Sequence, residues 1–474
     1  MKRFWLKAEW LAVSAAVPIL VVVLFLKPVI GLADNGDFQR IMIGTGLEYL
    51  DDELSYEDKY FGYFIRQFRM TEPRFGGYVS TQWIPVLLAK GLSGLVHSGI
   101  FDMRALAAIY GVLLLAALWL LIRVNKGERP WTNVILALLA IVLFTDVGYL
   151  AYFNSLYGEP LSFVFLLLAF GFATALVRRD RPSVALLAGF FLAALFLTGA
   201  KVQNAPIGVL LALLGLRFLV LRKDKGWRRL VIVCSSILLL ASVALYVSLP
   251  KEIRIINQYQ TVFYGVLKDS PTPEQDLREL GIPEKFAVNA GTNYFGEAPI
   301  DQQDPVFAEE YYPNFSHFKI ALFYLKHPGR LVDKLEVAAT QGMTIRPCYL
   351  GNYEQSSGKP AGSVAEGFGW WSEWKRGAIP NKLWFVALAF VVYFAVVWLE
   401  RRQAKDVRKK LYAEVFGFLG IVALIQFVLP VIGDGEADLA KHLFGFNVAF
   451  DLMIWAGAGW LLNRVLFVTD YKDT

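Results

Sequence analysis

Ten long hydrophobic runs alternate with polar segments of very different lengths along the chain. A helix that crosses a bilayer needs about 20 mainly apolar residues, and the runs come close to that length. The pattern therefore predicts an all-α polytopic membrane protein of about 10–11 transmembrane helices, with external loops that contain further helices. The ten runs cover residues 11–30, 104–123, 133–152, 161–177, 183–198, 206–221, 230–249, 382–399, 412–432 and 443–466.

An eleventh apolar run, 82–97, is short and contains Pro85 and Lys90. Its placement follows from the basic residues, which are typical of loops on the cytoplasmic side of a membrane. They concentrate in residues 2–7 and in the short loops 123–129, 178–181, 222–229 and 401–410. The N-terminus is therefore predicted to be cytoplasmic. Because a full crossing by 82–97 would move every later basic loop outside, we expect it to be a re-entrant or surface helix.

This orientation places two large polar regions outside, residues 31–103 and 250–381. The short loops on the same side are 153–159, 199–205 and 433–441. We divide the chain into an N-terminal transmembrane module (1–249, including the loop 31–103), an external subdomain (250–381) and C-terminal transmembrane helices (382–474). Within the subdomain, the pattern predicts a helix from Ser316 to Thr340.

Composition supports a membrane protein. Of the 474 residues, 56% are hydrophobic and 19% charged, whereas soluble domains are about 45–50% apolar and 25% charged. The net charge of +6 does not indicate nucleic-acid binding, because the basic residues lie between hydrophobic runs. Cys234 lies in an apolar run and Cys348 in a polar region, so no disulfide is expected. The first run lacks a small-residue cleavage site and is interpreted as an uncleaved span.

Several kinds of site are not indicated by the sequence. It has neither a Gly-Lys-Ser/Thr phosphate loop nor a dinucleotide glycine fingerprint, which argues against a soluble nucleotide-sugar site. With four histidines and no His/Cys cluster, a zinc site is not expected. Asp34 and Asp37 could hold a hard cation, but two carboxylates alone are weak evidence for one. No cofactor is therefore expected to be required, and a divalent metal is not indicated.

The segment Asp34-Asn35-Gly36-Asp37 directly follows the first span. Asn35-Gly36 is a turn signal, and the apolar positions after it predict a helix along the membrane surface. Asp34 or Asn35 would then serve as a helix N-cap. The alternative is that the pair provides a general base at the membrane–water boundary, and the sequence leaves both interpretations open.

Other polar clusters fall on the same predicted side. Residues 153–160 contain Asn154, Tyr157 and Glu159, where Glu159 could either complement a helix dipole or serve a site. Lys201 lies at an outer edge that usually lacks cations, and it could snorkel to the interface or bind a phosphate. Arg346 could bind a phosphate or pair with a nearby acid. Tryptophans 370, 371 and 374 fit an interfacial aromatic belt, with stacking on a sugar as the alternative.

An aspartate motif in the first external loop of a polytopic protein resembles the GT-C class of glycosyltransferases. The matching segments are Gly31–Phe38, Asn154–Pro160 and Lys201–Pro206, and together they resemble the WsfD-type hexose transferases of bacterial S-layer glycan synthesis. The resemblance implies transfer of a sugar, a hexose, from a polyprenyl-phosphate carrier to a cell-surface glycan acceptor. This would occur at the extracellular face of a bacterial plasma membrane. The short region 250–381 favours a glycan acceptor over a polypeptide.

In that class the first-loop aspartate is the catalytic base and outer-face cations hold the lipid phosphate. Carried onto this chain, Asp37 is the expected base, Asp34 its first alternate and Glu159 a second carboxylate. Lys201 and Arg346 are expected to bind the donor phosphate. Further substrate contacts are expected from Asn154, Tyr157, Gln203, Asn204 and His317.

Direct displacement by the acceptor would invert the anomeric centre. The competing interpretation is a lipid-linked glycan transporter or flippase, or a non-catalytic assembly protein. A transporter should line a path with polar groups at mid-membrane depth. The polar clusters of this chain instead gather on one predicted face, which favours an enzyme.

Overall fold

The apolar runs fold into long helices that form the body of the protein. The computed structural model describes residues 7–74 and 76–464, so residues 2–6 of the basic start and 465–466 of the tenth run lie outside the described residues. The first eleven helices are α1 (Ala8–Phe25), α2 (Gln39–Thr45), α3 (Tyr56–Lys59), α4 (Trp83–Gly94), α5 (Met103–Val124), α6 (Pro130–Phe144), α7 (Val147–Leu150), α8 (Glu159–Arg178), α9 (Val184–Ala200), α10 (Ala205–Arg217) and α11 (Lys225–Val247). The others are α12 (Lys251–Thr261), α13 (Pro273–Leu280), α14 (His317–Lys326), α15 (Pro328–Gln341), α16 (Trp370–Ala378), α17 (Leu383–Gln403), α18 (Val407–Asp434), α19 (Leu439–His442) and α20 (Phe444–Arg464).

Within the described residues, eight helical segments are long and apolar enough to cross a membrane. They are α1, α5, α8, α10 with its flanking turns, α11, α17, α18 and α20. Segments Pro130–Phe144 and Val147–Phe153 together form one further candidate span, bent by 48°. The apolar helix α9 is shorter, with 17 residues. In the described residues each of the ten predicted runs is mainly helical, and the predicted all-α polytopic membrane fold is confirmed.

The bend between α6 and α7 is stabilised by the buried side chain of Asp146. Its Oδ1 accepts from the Gly148 amide at 2.7 Å, which caps α7. Its Oδ2 accepts from the amides of Trp371 at 2.8 Å and Ser372 at 3.0 Å. One carboxylate therefore satisfies the first turns of two helices, α7 and α16. The sequence had predicted an uninterrupted run over 133–152.

Helix α16 docks on the membrane module through a buried ion pair. Lys375 Nζ lies 2.5 Å from Asp451 Oδ1, and both side chains are fully buried. The Trp371 indole donates to the same carboxylate at 2.7 Å. Trp370 and Trp374 are exposed, which fits the predicted aromatic belt.

Helix α4, in the eleventh run, has only 12 residues. At 1.5 Å per residue it extends about 18 Å, whereas the hydrocarbon core is about 30 Å thick. One face of the helix is exposed and apolar, with Ile84, Leu88 and Leu92. This geometry fits the expected re-entrant or surface helix.

A small antiparallel sheet, which the sequence pattern did not predict, lies in the first polar region. Its strands β1 (Leu47–Tyr49), β2 (Gln67–Met70) and β3 (Ile100–Asp102) are ordered β1-β2-β3. Lys90 of α4 ties this sheet to α2, because its ammonium group donates to the carbonyls of Thr45, Gly46 and Thr71 at 2.6–2.9 Å. Helix α2 is therefore anchored at its C-terminal end.

The predicted helix from Ser316 to Thr340 is in fact two helices, α14 and α15. They are separated at His327, and Pro328 begins α15. Proline cannot donate the backbone hydrogen bond that a continuous helix needs, but it is favoured in the first turn of a new helix. The prediction of a single helix was wrong for this reason.

Buried apolar residues form two clusters. The larger cluster joins the membrane helices, and it includes Met343, Ile345 and Leu350 of the second polar region. The smaller cluster, called the aromatic cluster because nearly half of its buried members are aromatic, lies within residues 259–324. Only the first part of region 250–381 therefore has a core of its own, while the later part packs on the membrane helices. The predicted domain boundaries stay a prediction.

Candidate active site

Asp34 is buried and stabilises the turn that follows the first span. Its Oδ1 accepts from the amides of Gly36 at 2.7 Å and Phe38 at 3.1 Å. Its Oδ2 accepts from the Tyr49 hydroxyl at 2.5 Å. Burial raises the pKa of Asp34 and outweighs the hydrogen bonds, which lower it. Asp34 therefore holds the turn, whereas the N-cap position of α2 is Phe38, which makes no side-chain capping bond.

Asp37 lies across the same turn and faces two cations. Its Oδ1 is 2.8 Å from an Arg40 guanidinium nitrogen, and its Oδ2 accepts from Lys441 Nζ. Burial raises the pKa of Asp37, but Arg40 and Lys441 outweigh it and hold the pKa well below its usual value. The side chain is 22% exposed, so Asp37 is reachable from solvent while Asp34 is not.

A second ion pair joins the two other predicted clusters. Lys201 Nζ lies 2.6 Å from Glu159 Oε1, and the Glu159 side chain is only 2% exposed. Lys201 can pack this close to the start of α8 because residue 158 is a glycine: a Cβ there would lie 2.5 Å from Lys201 Cγ. The other Glu159 oxygen, Oε2, is buried without a hydrogen-bond partner among the described residues. An unsatisfied buried carboxylate oxygen is costly, so a partner that completes its hydrogen bonding would stabilise it.

The two ion pairs belong to one electrostatic cluster, which we call the ion-pair cluster: Asp37, Arg40, Glu159, Lys201, Asp434, Asp438, Lys441 and His442. Glu159 raises the pKa of both Arg40 and Lys441, and Lys201 lowers that of Asp37. His442 Nε2 lies 3.1 Å from Asp434 Oδ2. The cluster unites three predicted residues from distant parts of the chain.

Sequence analysis missed five members of the ion-pair cluster. Arg40, in α2, is three residues after Asp37. The other four members come from the segment 434–442: Asp434, Asp438, Lys441 and His442. That segment is a polar stretch between two spans, the same signal that identified residues 153–160. Segment 434–442 could therefore have been identified as a candidate from the sequence. It contributes Lys441, whose side chain is only 1% exposed.

Asn154 and Tyr157 hold the first-loop turn against the membrane helices. The Asn154 amide donates to the carbonyls of Leu24 at 3.2 Å and Ile30 at 2.8 Å. The Tyr157 hydroxyl donates to Ala33 O at 2.7 Å and accepts from the Asn35 amide at 3.0 Å. The Tyr157 ring also lies 4.5 Å from Lys441 Nζ, so this residue borders the ion-pair cluster.

Gln203 and Asn204 join the cluster to α18 through Gln426. Gln203 Nε2 donates to Gln426 Oε1 at 3.1 Å and to the His442 carbonyl at 2.8 Å. Gln426 in turn donates to Asn204 Oδ1 at 2.8 Å. Gln203 thus touches the backbone of the segment that carries Lys441.

The structure does not bring Arg346 to the ion-pair cluster. Its guanidinium donates to Asn352 Oδ1 at 2.5 Å and to the Ala365 carbonyl, and the residue is 5% exposed. Asn352 also donates to the Gly31 carbonyl. In the described part of the chain Arg346 makes no contact with the cluster, and its hydrogen bonds hold two loop segments together; its expected role as a phosphate ligand stays a prediction.

His317 also lies elsewhere. Its Nδ1 is 3.0 Å from the Tyr246 hydroxyl at the end of α11, and burial lowers its pKa. Within residues 7–74 and 76–464, nothing joins it to the ion-pair cluster. The expectation that it contacts the same substrate as Asp37 is therefore not supported by its position.

The two first-loop aspartates do not converge on one point. Asp34 faces Tyr49, whereas Asp37 faces Arg40 and Lys441. Among the described residues, no group of three or more His, Cys, Asp or Glu is arranged to hold a metal ion. Asp34 and Asp37 thus take part in separate sets of contacts.

Comparison with known proteins identifies the family. The model of the YfdI N-terminal transmembrane domain family matches residues 1–474, and the chain belongs to that family. Among solved structures, the chain is similar to the archaeal oligosaccharyltransferase AglB from Archaeoglobus fulgidus, in complex with an inhibitory peptide and a dolichol-phosphate. The identity is 13% and the TM-score 0.40. The similarity covers 100% of this chain and 53% of AglB, so this chain spans about half the length of that protein. No curated protein matches the chain.

Proposed function

We propose that this member of the YfdI N-terminal transmembrane domain family is a membrane glycosyltransferase of the GT-C class. It moves a sugar from a polyprenyl-phosphate carrier to a glycan acceptor at the outer face of the membrane, with inversion. A hexose donor and the WsfD-type resemblance remain the finer hypothesis, which rests on the sequence motifs alone. The alternative, a lipid-linked glycan transporter, draws no specific support from the described residues.

The observation that carries the proposal is the ion-pair cluster itself. Two cations, Arg40 and Lys441, contact the solvent-reachable Asp37. A third cation, Lys201, is paired with Glu159 and acts electrostatically on Asp37. A departing lipid phosphate needs positive charge, and an attacking hydroxyl needs a proton acceptor. The ion-pair cluster offers both the positive charge and the proton acceptor. Lys441 takes a phosphate role beside Lys201.

In the proposed reaction, the acceptor hydroxyl oxygen attacks the anomeric carbon and forms the new glycosidic bond. The bond from that carbon to the phosphate oxygen breaks, and the phosphate leaves with the electron pair. Asp37 takes the hydroxyl proton. Lys201 and Lys441 neutralise the charge on the departing phosphate.

The low pKa of Asp37 makes it a weak base while both cations are paired with it. A bound donor phosphate competes for Lys441, and the loss of that partner raises the pKa of Asp37 towards its usual range. Donor binding would thus activate the base. Glu159, whose Oε2 is unpartnered within the described residues, is the second carboxylate and keeps Lys201 in place.

The proposal is tested by transfer from a polyprenyl-phosphate sugar with purified protein in detergent. Asp37→Asn keeps the shape but cannot accept a proton, and turnover should fall by about 10²–10⁴-fold. Asp51→Asn, at an exposed position of the same loop, is the matched control. Normal turnover in Asp37→Asn, with loss in Asp34→Asn or Glu159→Gln, would reassign the base. Normal turnover in all three would remove the support for a glycosyltransferase.

A further inference from the structure

Helix α14 presents apolar side chains on two opposite faces. Ile320, Phe323 and Tyr324 are buried in the aromatic cluster of the external subdomain. Phe318 is 77% exposed and Leu325 75% exposed, and Leu322, also exposed, lies between them. This spacing of four and three residues places the exposed side chains in one stripe. A contiguous exposed apolar stripe marks a surface that something else covers.

The position of α14 indicates what covers the stripe. The His317 ring at its first residue is hydrogen-bonded to Tyr246, which is in the last turn of the span α11. The helix also packs against α18, where Ile432, near the end of that span, contacts the same aromatic cluster. Helix α14 therefore lies at the level where two membrane spans end.

We propose that α14 is an interfacial membrane anchor, with the stripe Phe318-Leu322-Leu325 inserted into the leaflet at which α11 ends. The bilayer is favoured as the occupant because His317, next to Phe318, contacts Tyr246, and Tyr246 is exposed on α11 together with Val243 and Val247. Amphipathic helices at such interfaces bury their apolar face about 5–10 Å into the boundary between head groups and acyl chains.

The two lysines of α14 bind within the subdomain. Lys319 directly follows Phe318, and its Nζ donates to the Asn314 carbonyl at 3.1 Å. Lys326 directly follows Leu325, and its Nζ lies 3.2 Å from Glu279 Oε1. Membrane contact is therefore assigned to the apolar stripe alone.

Anchoring has a structural consequence for the ion-pair cluster. The subdomain that carries α14 also binds Glu436, through Lys268 at 2.5 Å and Lys334 at 2.7 Å. Glu436 belongs to the segment 434–442 that supplies Lys441. Membrane contact by α14 would therefore fix the position of this subdomain relative to the membrane surface, and with it the position of segment 434–442. The anchor itself does not depend on the proposed enzymatic function.

The test uses single cysteines labelled with an environment-sensitive fluorophore, in full-length protein in nanodiscs that hold one copy. In a background with Cys234→Ala and Cys348→Ser, the label is placed at Phe318→Cys or Leu325→Cys. Glu309→Cys, an exposed acidic position of the same subdomain, is the control. Quenching is measured with spin-labelled lipids and, separately, with a water-soluble quencher. Size-exclusion profiles confirm that each variant is folded.

We expect lipid quenching at positions 318 and 325 to be several-fold stronger than at 309, and strongest with the spin label near the head group. Equal lipid quenching at the three positions would overturn the proposal. So would a label at 318 or 325 that the water-soluble quencher reaches as readily as at 309. Protection from both quenchers would show that protein covers the stripe, and would overturn it as well.

Discussion

Replacing Lys201 with methionine removes the charge beside Glu159 and keeps a long side chain. Glu159 is 2% exposed, and one of its oxygens lies 2.6 Å from Lys201 Nζ. Removing one partner of a buried ion pair typically costs about 3–5 kcal/mol, because the other charge is left buried and unpaired. Since 16% of the Lys201 side chain is exposed, solvent screens part of the interaction. We therefore expect Lys201→Met to lower the free energy of unfolding by about 2–3 kcal/mol.

A second substitution separates stability from function. In Lys201→Met/Glu159→Gln the buried charge is also removed, so most of the lost stability should return. The donor phosphate would still lack its ammonium partner. One hydrogen bond to a charged group contributes about 1.5–3 kcal/mol, and each 1.4 kcal/mol is tenfold in affinity. The KM for the donor should therefore rise by about 10–150-fold in the double variant.

The assay combines thermal unfolding in detergent with donor kinetics, and Lys359→Met at an exposed lysine is the control. A double variant with restored Tm and a wild-type donor KM would refute the phosphate role of Lys201. A single variant as stable as the wild type would refute the reasoning about the buried Glu159 carboxylate.

Three further predictions follow from the same contacts. Lys441→Met removes a cation that lowers the pKa of Asp37, so the acid limb of the profile of kcat/KM against pH should move to higher pH; an unmoved limb would contradict Asp37 as the base. Lys90→Met leaves three carbonyls without their ammonium donor and should cost about 1–3 kcal/mol, measured as a lower Tm, with no change in Tm as the contrary result. Cysteines at Gly99 and Lys126 should be labelled from opposite sides of intact cells, and labelling of both from one side would contradict the topology.

The transmembrane helices could be predicted from the sequence because a span requires a long uninterrupted apolar segment. The bend after Phe144 could not, because it depends on Asp146 accepting from amides of α16, more than two hundred residues later. The division between α14 and α15 had a local signal in Pro328, which the apolar pattern across it obscured.

The candidate site could be predicted only where its residues share a local motif. Asp37, Glu159 and Lys201 lie in polar segments between apolar runs, and the structure brings them into one cluster. Lys441 reaches Asp37 across 404 positions of sequence, a contact that no local pattern encodes. Arg346 has the right charge for a phosphate, but its contacts with Asn352 and Ala365 use it to hold the loops together.

The central claim is that the ion-pair cluster binds a lipid phosphate and leaves Asp37 free to act as a base. A structure determined by electron cryomicroscopy in the presence of a polyprenyl phosphate tests it most directly. The account predicts phosphate density within hydrogen-bond distance of Lys201 and Lys441, with Lys441 drawn away from Asp37. Phosphate density elsewhere on the protein, with the contact between Lys441 and Asp37 intact, would contradict it.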